Sequence, residues 1–124
     1  SALLGGGNVT TINGGVGADQ LYASDGEDLF IFDSNSGDAF TNPDTIHDFD
    51  TGSGDALDIS DILSGLGVNA GNLSNFVDID AGTGIRIDTG GGGSFGAGTT
   101  IATFSGTTVI SDEATLLGNG DLII

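Results

Sequence analysis

Cysteine is absent from the 124-residue chain, and so are methionine and tryptophan. Without cysteine, neither a disulfide nor a thiolate metal site can contribute to the fold. One residue, Arg86, is the whole complement of lysine and arginine, so ion pairs inside the protein are nearly ruled out. One histidine, His47, leaves no second imidazole for a transition-metal site and no partner set for a nucleophile triad. Proline occurs once, and no apolar run is long enough to cross a membrane as a helix. The chain starts at Ser1-Ala2-Leu3-Leu4 without an initiating methionine or a signal peptide, which predicts a piece of something longer.

What is present in excess is negative charge. Eighteen acidic residues set the net charge at −17, and because Glu27 and Glu113 are the only glutamates, the other 16 are aspartates. Such a charge argues against nucleic acid and against anionic membranes as partners. Acidic chains are often disordered, but here 37% of residues are hydrophobic, seven are Phe, and the apolar residues lie in short runs such as Leu29 to Phe32 and Leu122 to Ile124. A folded domain is predicted. Sixteen short carboxylates without internal cations suit oxygen cages around a hard cation, and calcium is the first choice.

The 24 glycines are arranged in a repeat. Gly5 to Asn13, Gly14 to Tyr22 and Ala23 to Ile31 form three consecutive blocks of nine: GGGNVTTIN, GGVGADQLY and ASDGEDLFI. The middle block fits the nonapeptide G-G-x-G-x-D-x-U-x, with U a large apolar residue, at every position. The third keeps Gly26, Asp28 and Phe30; the first keeps Gly5, Gly6 and Ile12 but has Asn8 at a glycine position and Thr10 at the aspartate position. Six residues of each block turn the chain and three form a strand, so each block is half a coil, and blocks two apart stack. Ile12, Leu21 and Phe30 are expected to form one inward apolar ladder.

Downstream, strands are expected near 44–49, 56–59, 76–80, 84–88, 99–104, 107–110 and 121–124. Short helices are expected from Ser60, over 72–75, and from an N-cap at Ser111 to a stop at Gly118, and Gly90 to Gly98 reads as a flexible loop. Asp48, Asp50 and Asp55 imitate the start of an EF-hand loop but lack the closing glutamate, so turn and capping hydrogen bonds are the expected role. His47 is expected on a strand surface, and Arg86 facing solvent among acids. Asp78 and Asp80 could serve a glycosidase only if an acid and base converged, and residues i and i+2 on a strand merely share a face. No enzyme activity is expected.

The segments GGVGADQLY with ASDGEDLFIF, then DTIHDFDTGSGDALDIS, then LLGNGDLII resemble the RTX proteins, and more closely the type I secretion C-terminal target domains of large RTX adhesins and agglutinins. The resemblance implies a mainly all-β fold: a short calcium-binding parallel β-roll continuing into a β-sandwich-like region with one or two short helices. Residues 1–124 are then one domain, with roll repeats over 5–37 and a capping β region with the C-terminal secretion signal over 38–124. It implies export by a type I machinery, with its inner-membrane transporter complex as partner alongside upstream regions of the same protein. The monomer then acts outside, or on the surface of, a Gram-negative bacterium. For Ca²⁺ it implies one site from the carbonyls of Gly15 and Gly17 and the carboxylate of Asp19, completed by Asp38 and Asp44. A second takes the Asp28 carboxylate with carbonyls of Ala23 and Asp25, facing Gly6 and Asn8. The competing functions are a calcium-dependent module binding sugar or ice through strands such as Thr99-Thr100 and Thr107-Thr108, and the non-catalytic tail of a secreted enzyme.

Overall fold

A three-residue strand turns only its middle side chain to one face, so strands this short must stack on neighbours to enclose a core. The computed structural model describes residues 2–4, 10–13, 17–23, 26–32, 42–96, 99–106 and 108–124. Ten strands appear among the described residues: β1 Ala2–Leu4, β2 Thr10–Asn13, β3 Gln20–Tyr22, β4 Asp28–Ile31, β5 Asp44–His47, β6 Ala56–Asp58, β7 Val77–Asp80, β8 Gly84–Ile87, β9 Thr100–Ser105 and β10 Leu122–Ile123. They form a six-stranded sheet in the order β1-β3-β5-β9-β8-β7 and a four-stranded sheet in the order β10-β6-β4-β2. The fold is mainly β; the described residues also include three short α-helices, α1 Ser60–Leu63, α2 Leu73–Phe76 and α3 Glu113–Asn119, and a 3-10 turn at Thr51–Ser53.

From β1 to β6, odd and even strands alternate between the sheets, as half-coils require. Leu3 pairs with Leu21 and Ile12 with Phe30, in each case two nine-residue blocks apart and parallel. The parallel ladders run on past the nonapeptides, with Leu21 beside Ile46 and Phe30 beside Leu57. Ile12, Leu21 and Phe30 are all buried, but they do not form the single ladder expected. Leu21 belongs to one sheet and Ile12 and Phe30 to the other, because consecutive half-coils lie on opposite sides of the roll. Phe49 sits among them, its ring 5.7 Å from Phe30 and 5.6 Å from Phe104.

The six-stranded sheet turns antiparallel after β9, where β8 and β7 return as a hairpin. Gly84 allows that close approach: its φ is +86°, and a Cβ there would lie 2.0 Å from the Ala102 carbonyl oxygen. Across the hairpin, Asp78 stands opposite Arg86 and forms an ion pair with it. Arg86 Nη1 also donates to the Phe95 carbonyl, 3.1 Å away, and the guanidinium lies over the Phe95 ring, so the side chain is docked rather than simply facing solvent.

Three local expectations are corrected. Helix α3 is capped by Asp112, whose carboxylate accepts the Thr115 N–H at 2.9 Å, and ends at Gly120 with φ 81°, so it starts and stops later than Ser111 and Gly118. Of the strand expected over 107–110, only a single bridge from Val109 to Asp50 is seen among the described residues. The glycine loop is organised at its start: the Asp88 carboxylate accepts N–H bonds from Gly90, Gly92 and Ser94, and Gly93 N–H donates to the Asn75 carbonyl. These bonds, that from Ser94 foremost, hold the Asp88 carboxyl below the usual carboxylate range. No helix among the described residues is long and apolar enough to cross a membrane.

Candidate metal site in the turns of the roll

At the entrances to β3, β4, β5 and β6 an aspartate stands two residues before an inward apolar side chain, whereas β2 has Thr10 at that place. Asp19 precedes Leu21, Asp28 precedes Phe30, Asp44 precedes Ile46 and Asp55 precedes Leu57. The period of two that buries the apolar residue also draws the aspartate toward the interior at the strand entrance. These four are the buried charged residues among those described, with exposures of 2%, 1%, 8% and 0% in the same order.

Parallel register then stacks them in pairs. Because Gln20 pairs with Thr45, Asp19 lies against Asp44, and because Leu29 pairs with Ala56, Asp28 lies against Asp55. In the first pair the Asp19 N–H donates to Asp44 Oδ1 at 2.9 Å, and the Thr45 N–H returns to the Asp19 carbonyl at 2.9 Å. In the second, Asp55 Oδ1 accepts the Asp28 N–H at 3.0 Å while its Oδ2 accepts the Asp50 N–H at 2.9 Å. Asp55 therefore ties two successive turns together.

Buried carboxylates facing one another without a cation are costly. Arg86 is on β8, paired with Asp78, and His47 lies on the outer face of β5, stacked 4.3 Å from the Tyr22 ring with Nε2 2.6 Å from Gln20 Oε1. Neither supplies charge to the turns. Burial pushes the Asp55 carboxyl up from 3.8 to about 6, even though its two backbone donors favour the charged form. A carboxyl raised in this way binds its proton more tightly folded than unfolded. Its contribution to stability is therefore full below 3.8 and falls as pH rises through about 6.

The residues named from the sequence fall into two groups. Asp19 and Asp44 are brought together, and Gly17 turns the chain into Asp19 with φ +97°. Asp28 is buried at the mouth of β4, and Ala23 is half-buried with its N–H donated to the His47 carbonyl at 3.0 Å. Gly15, Asp25 and Asp38, and likewise Gly6 and Asn8, lie outside the described residues. Among the described residues no group of three or more His, Cys, Asp or Glu could hold a metal ion. What they supply is pairs of hard oxygen donors, a chemistry that fits calcium once turn carbonyls are added.

The sequence points to a turn role for Asp55 and does not single it out as a metal ligand. That role is observed, and so is the pairing with Asp28. The available signal was the aspartate-x-apolar spacing of Asp55, Ala56 and Leu57, repeated from Asp28, Leu29 and Phe30. Asp50 also does turn work, accepting the Gly52 N–H at 2.8 Å and the Ser53 hydroxyl at 3.2 Å. Replacing Asp55 by alanine removes the acceptor of two backbone donors, and a loss of about 2 kcal/mol is expected in urea unfolding at saturating calcium.

Comparison with known proteins places this geometry in context. The family described as Peptidase M10 serralysin C terminal matches residues 5–90. Among solved structures, the crystal structure of the C-terminal domain (RV) of MpAFP is similar, with a TM-score of 0.60 and 26% identity, over 83% of this chain and 74% of that one. No curated protein matches the chain.

Proposed function

Because the chain belongs to the peptidase M10 serralysin C-terminal family, an RTX-type C-terminal domain, we propose that it is a calcium-binding, non-catalytic module that directs type I secretion of a large extracellular adhesin. In this reading it folds on meeting calcium outside the cell. The observation that carries the calcium part is the stacking of buried aspartates in successive turns, Asp19 on Asp44 and Asp28 on Asp55, in a chain with one arginine.

Calcium bound there would neutralise the paired carboxylates and cross-link adjacent coils. Asp19 and Asp44, with the Gly15 and Gly17 carbonyls and Asp38, would hold one ion; Asp28, with carbonyls of Ala23 and Asp25, would hold another. The chain's own residues do the rest. The N–H bonds to Asp44 and Asp55 orient those carboxylates, and the buried apolar ladders anchor the strands on which the turns are mounted. The residues 1–124 act as one monomeric domain, at the surface of a Gram-negative bacterium or outside it, with the type I exporter as partner.

Family membership also accommodates the tail of a secreted enzyme, since the family's description names a peptidase. Catalysis within these residues is not part of either reading: His47 stacks on Tyr22 and is the chain's single histidine.

Export is tested by fusing the chain to an inert passenger in cells carrying a type I exporter. Deleting Leu116 to Ile124 should lower the exported fraction at least about tenfold. Phe30→Ala, which weakens the fold and leaves that segment intact, should not. Equal export of the full and shortened fusions would reject the proposed signal.

A further inference from the structure

An open groove lies away from the turns of the roll. It runs along β7, the edge strand of the six-stranded sheet, lined by Ile79, Asp80 and Ala81 on that side and on the other by Ile110, Ser111 and Asp112, which lead into α3. Ile79 is 3% exposed and half-buried Ile110 packs against the same core, so the groove has an apolar floor. Val109, one residue before Ile110, is 48% exposed, the most exposed large apolar side chain among the described residues. Asp80 and Asp112 are exposed, and each uses one carboxylate oxygen in a local turn. Asp80 Oδ1 accepts the Gly82 N–H at 2.6 Å, and Asp112 Oδ1 accepts the Thr115 N–H at 2.9 Å. The bonds from Thr115 hold the Asp112 carboxyl below the usual carboxylate range, so it is charged at neutral pH. The groove encloses about 260 Å³. Pockets for drug-sized ligands begin at roughly 300 Å³, so this one has room for a single side chain.

We propose that this groove receives an arginine side chain of a partner polypeptide, its stem lying on Ile79, Ala81 and Ile110 and its guanidinium against Asp80 and Asp112. Two carboxylates beside an apolar floor match a cation carried on an apolar stem. The planar fork of arginine offers five donors, enough for both aspartates and the Ser111 hydroxyl. In a chain of net charge −17, an added cation also relieves repulsion. The side chain must come from outside these residues. Their one arginine, Arg86, is paired with Asp78 and bonded to the Phe95 carbonyl, so a second copy has none to offer. A bare metal ion fits less well: the apolar floor gives it no oxygen, and among the described residues no group of three or more His, Cys, Asp or Glu could hold one. Addition of a strand to β7 is also disfavoured. The Val77 N–H is donated to the Leu73 carbonyl and the Ile79 N–H to Glu113 Oε2 at 3.3 Å, so two donors of the edge are already taken. Such docking needs only the folded domain, whatever the chain's part in export.

The test titrates the nitrogen-15-labelled chain, folded in millimolar calcium, with the peptide acetyl-Gly-Arg-Gly-amide and with its citrulline and leucine counterparts. Backbone amide shifts should concentrate at residues 79–81 and 110–112 and saturate in the millimolar range, as expected of one docked side chain. Citrulline keeps the shape of arginine without its charge and should bind at least about fivefold more weakly, as should leucine. Asp80→Asn and Asp112→Asn retain an oxygen for the local N–H bonds, and asparagine is a good helix cap, so the double variant should fold. Its affinity for the arginine peptide should fall at least about fivefold, while Asp61→Asn on α1 should leave binding unchanged. Citrulline or leucine binding as tightly as arginine, shifts spread over the whole acidic surface, or unchanged affinity in the double variant would each overturn the proposal. So would a dimer, seen by sedimentation, that the arginine peptide dissociates, since the groove would then belong to a second copy.

Discussion

In excess chelator the chain should show no cooperative thermal transition, or a strongly lowered one, and calcium at about 10⁻³ M should restore a β-rich state that melts sharply. Without calcium, 18 carboxylates face one arginine in any compact form, four of them buried in turns, and glycine-rich turns carry a high ordering cost per residue. Calcium that binds only the folded state adds RT ln(1 + [L]/Kd), so a site with Kd near 10⁻⁵ M contributes about 2.7 kcal/mol at that concentration. Two such sites contribute about 5 kcal/mol, the lower end of a whole domain's stability. Far-UV circular dichroism and melts at fixed ionic strength decide the matter. Magnesium should substitute poorly, because its small octahedral shell fits turn carbonyls badly. Calorimetric titration locates the effect: Asp19→Ala should weaken calcium binding, whereas Asp78→Ala, which frees Arg86 on the distant hairpin, should not. Identical melting in chelator and calcium would sink the calcium reading.

Phe30→Ala should destabilise the calcium-loaded protein by about 3–5 kcal/mol, enough to unfold much of a marginal population. Phe30 is fully buried, pairs in register with Ile12 on one side and Leu57 on the other, and packs its ring on Phe49. The cavity would therefore open where the two sheets and the following turn meet. Ile123→Ala, at the exposed edge of β10, should cost less than about 1 kcal/mol. Urea titration of the two variants at saturating calcium gives the comparison, and similar losses would mean that the core is not organised around Phe30.

The inward set of the roll was legible in the order of residues alone, because strands alternate with a period of two and glycine turns mark their ends. Ile12, Leu21, Phe30, Ile46, Phe49, Leu57 and Ile59 are all buried. So was the stacking of blocks two apart, since six turn residues and three strand residues make half a coil. The meeting of Asp19 with Asp44 came instead from the family resemblance, since their separation of 25 residues is not a multiple of nine. Local boundaries were less legible. Ser111 and Asp112 are both good helix caps by type, and only the bond from Thr115 to Asp112 selects between them.

By itself, the sequence determined that this protein is an acidic, disulfide-free stack of short strands, and which side chains of each strand turn inward. Adjacency was decided by the tertiary structure. That Asp55 faces Asp28, that β9 lies beside β5 although the β7–β8 hairpin precedes it in the chain, and that residues 122–123 lie along β6 depend on contacts between distant parts of the chain. The closure cost of a loop rises only slowly with its length, so local pattern ranks such partners weakly. The choice falls to the core, where Phe30, Phe49, Leu57 and Leu122 lie in one buried cluster and close packing rewards the order of strands that brings them together.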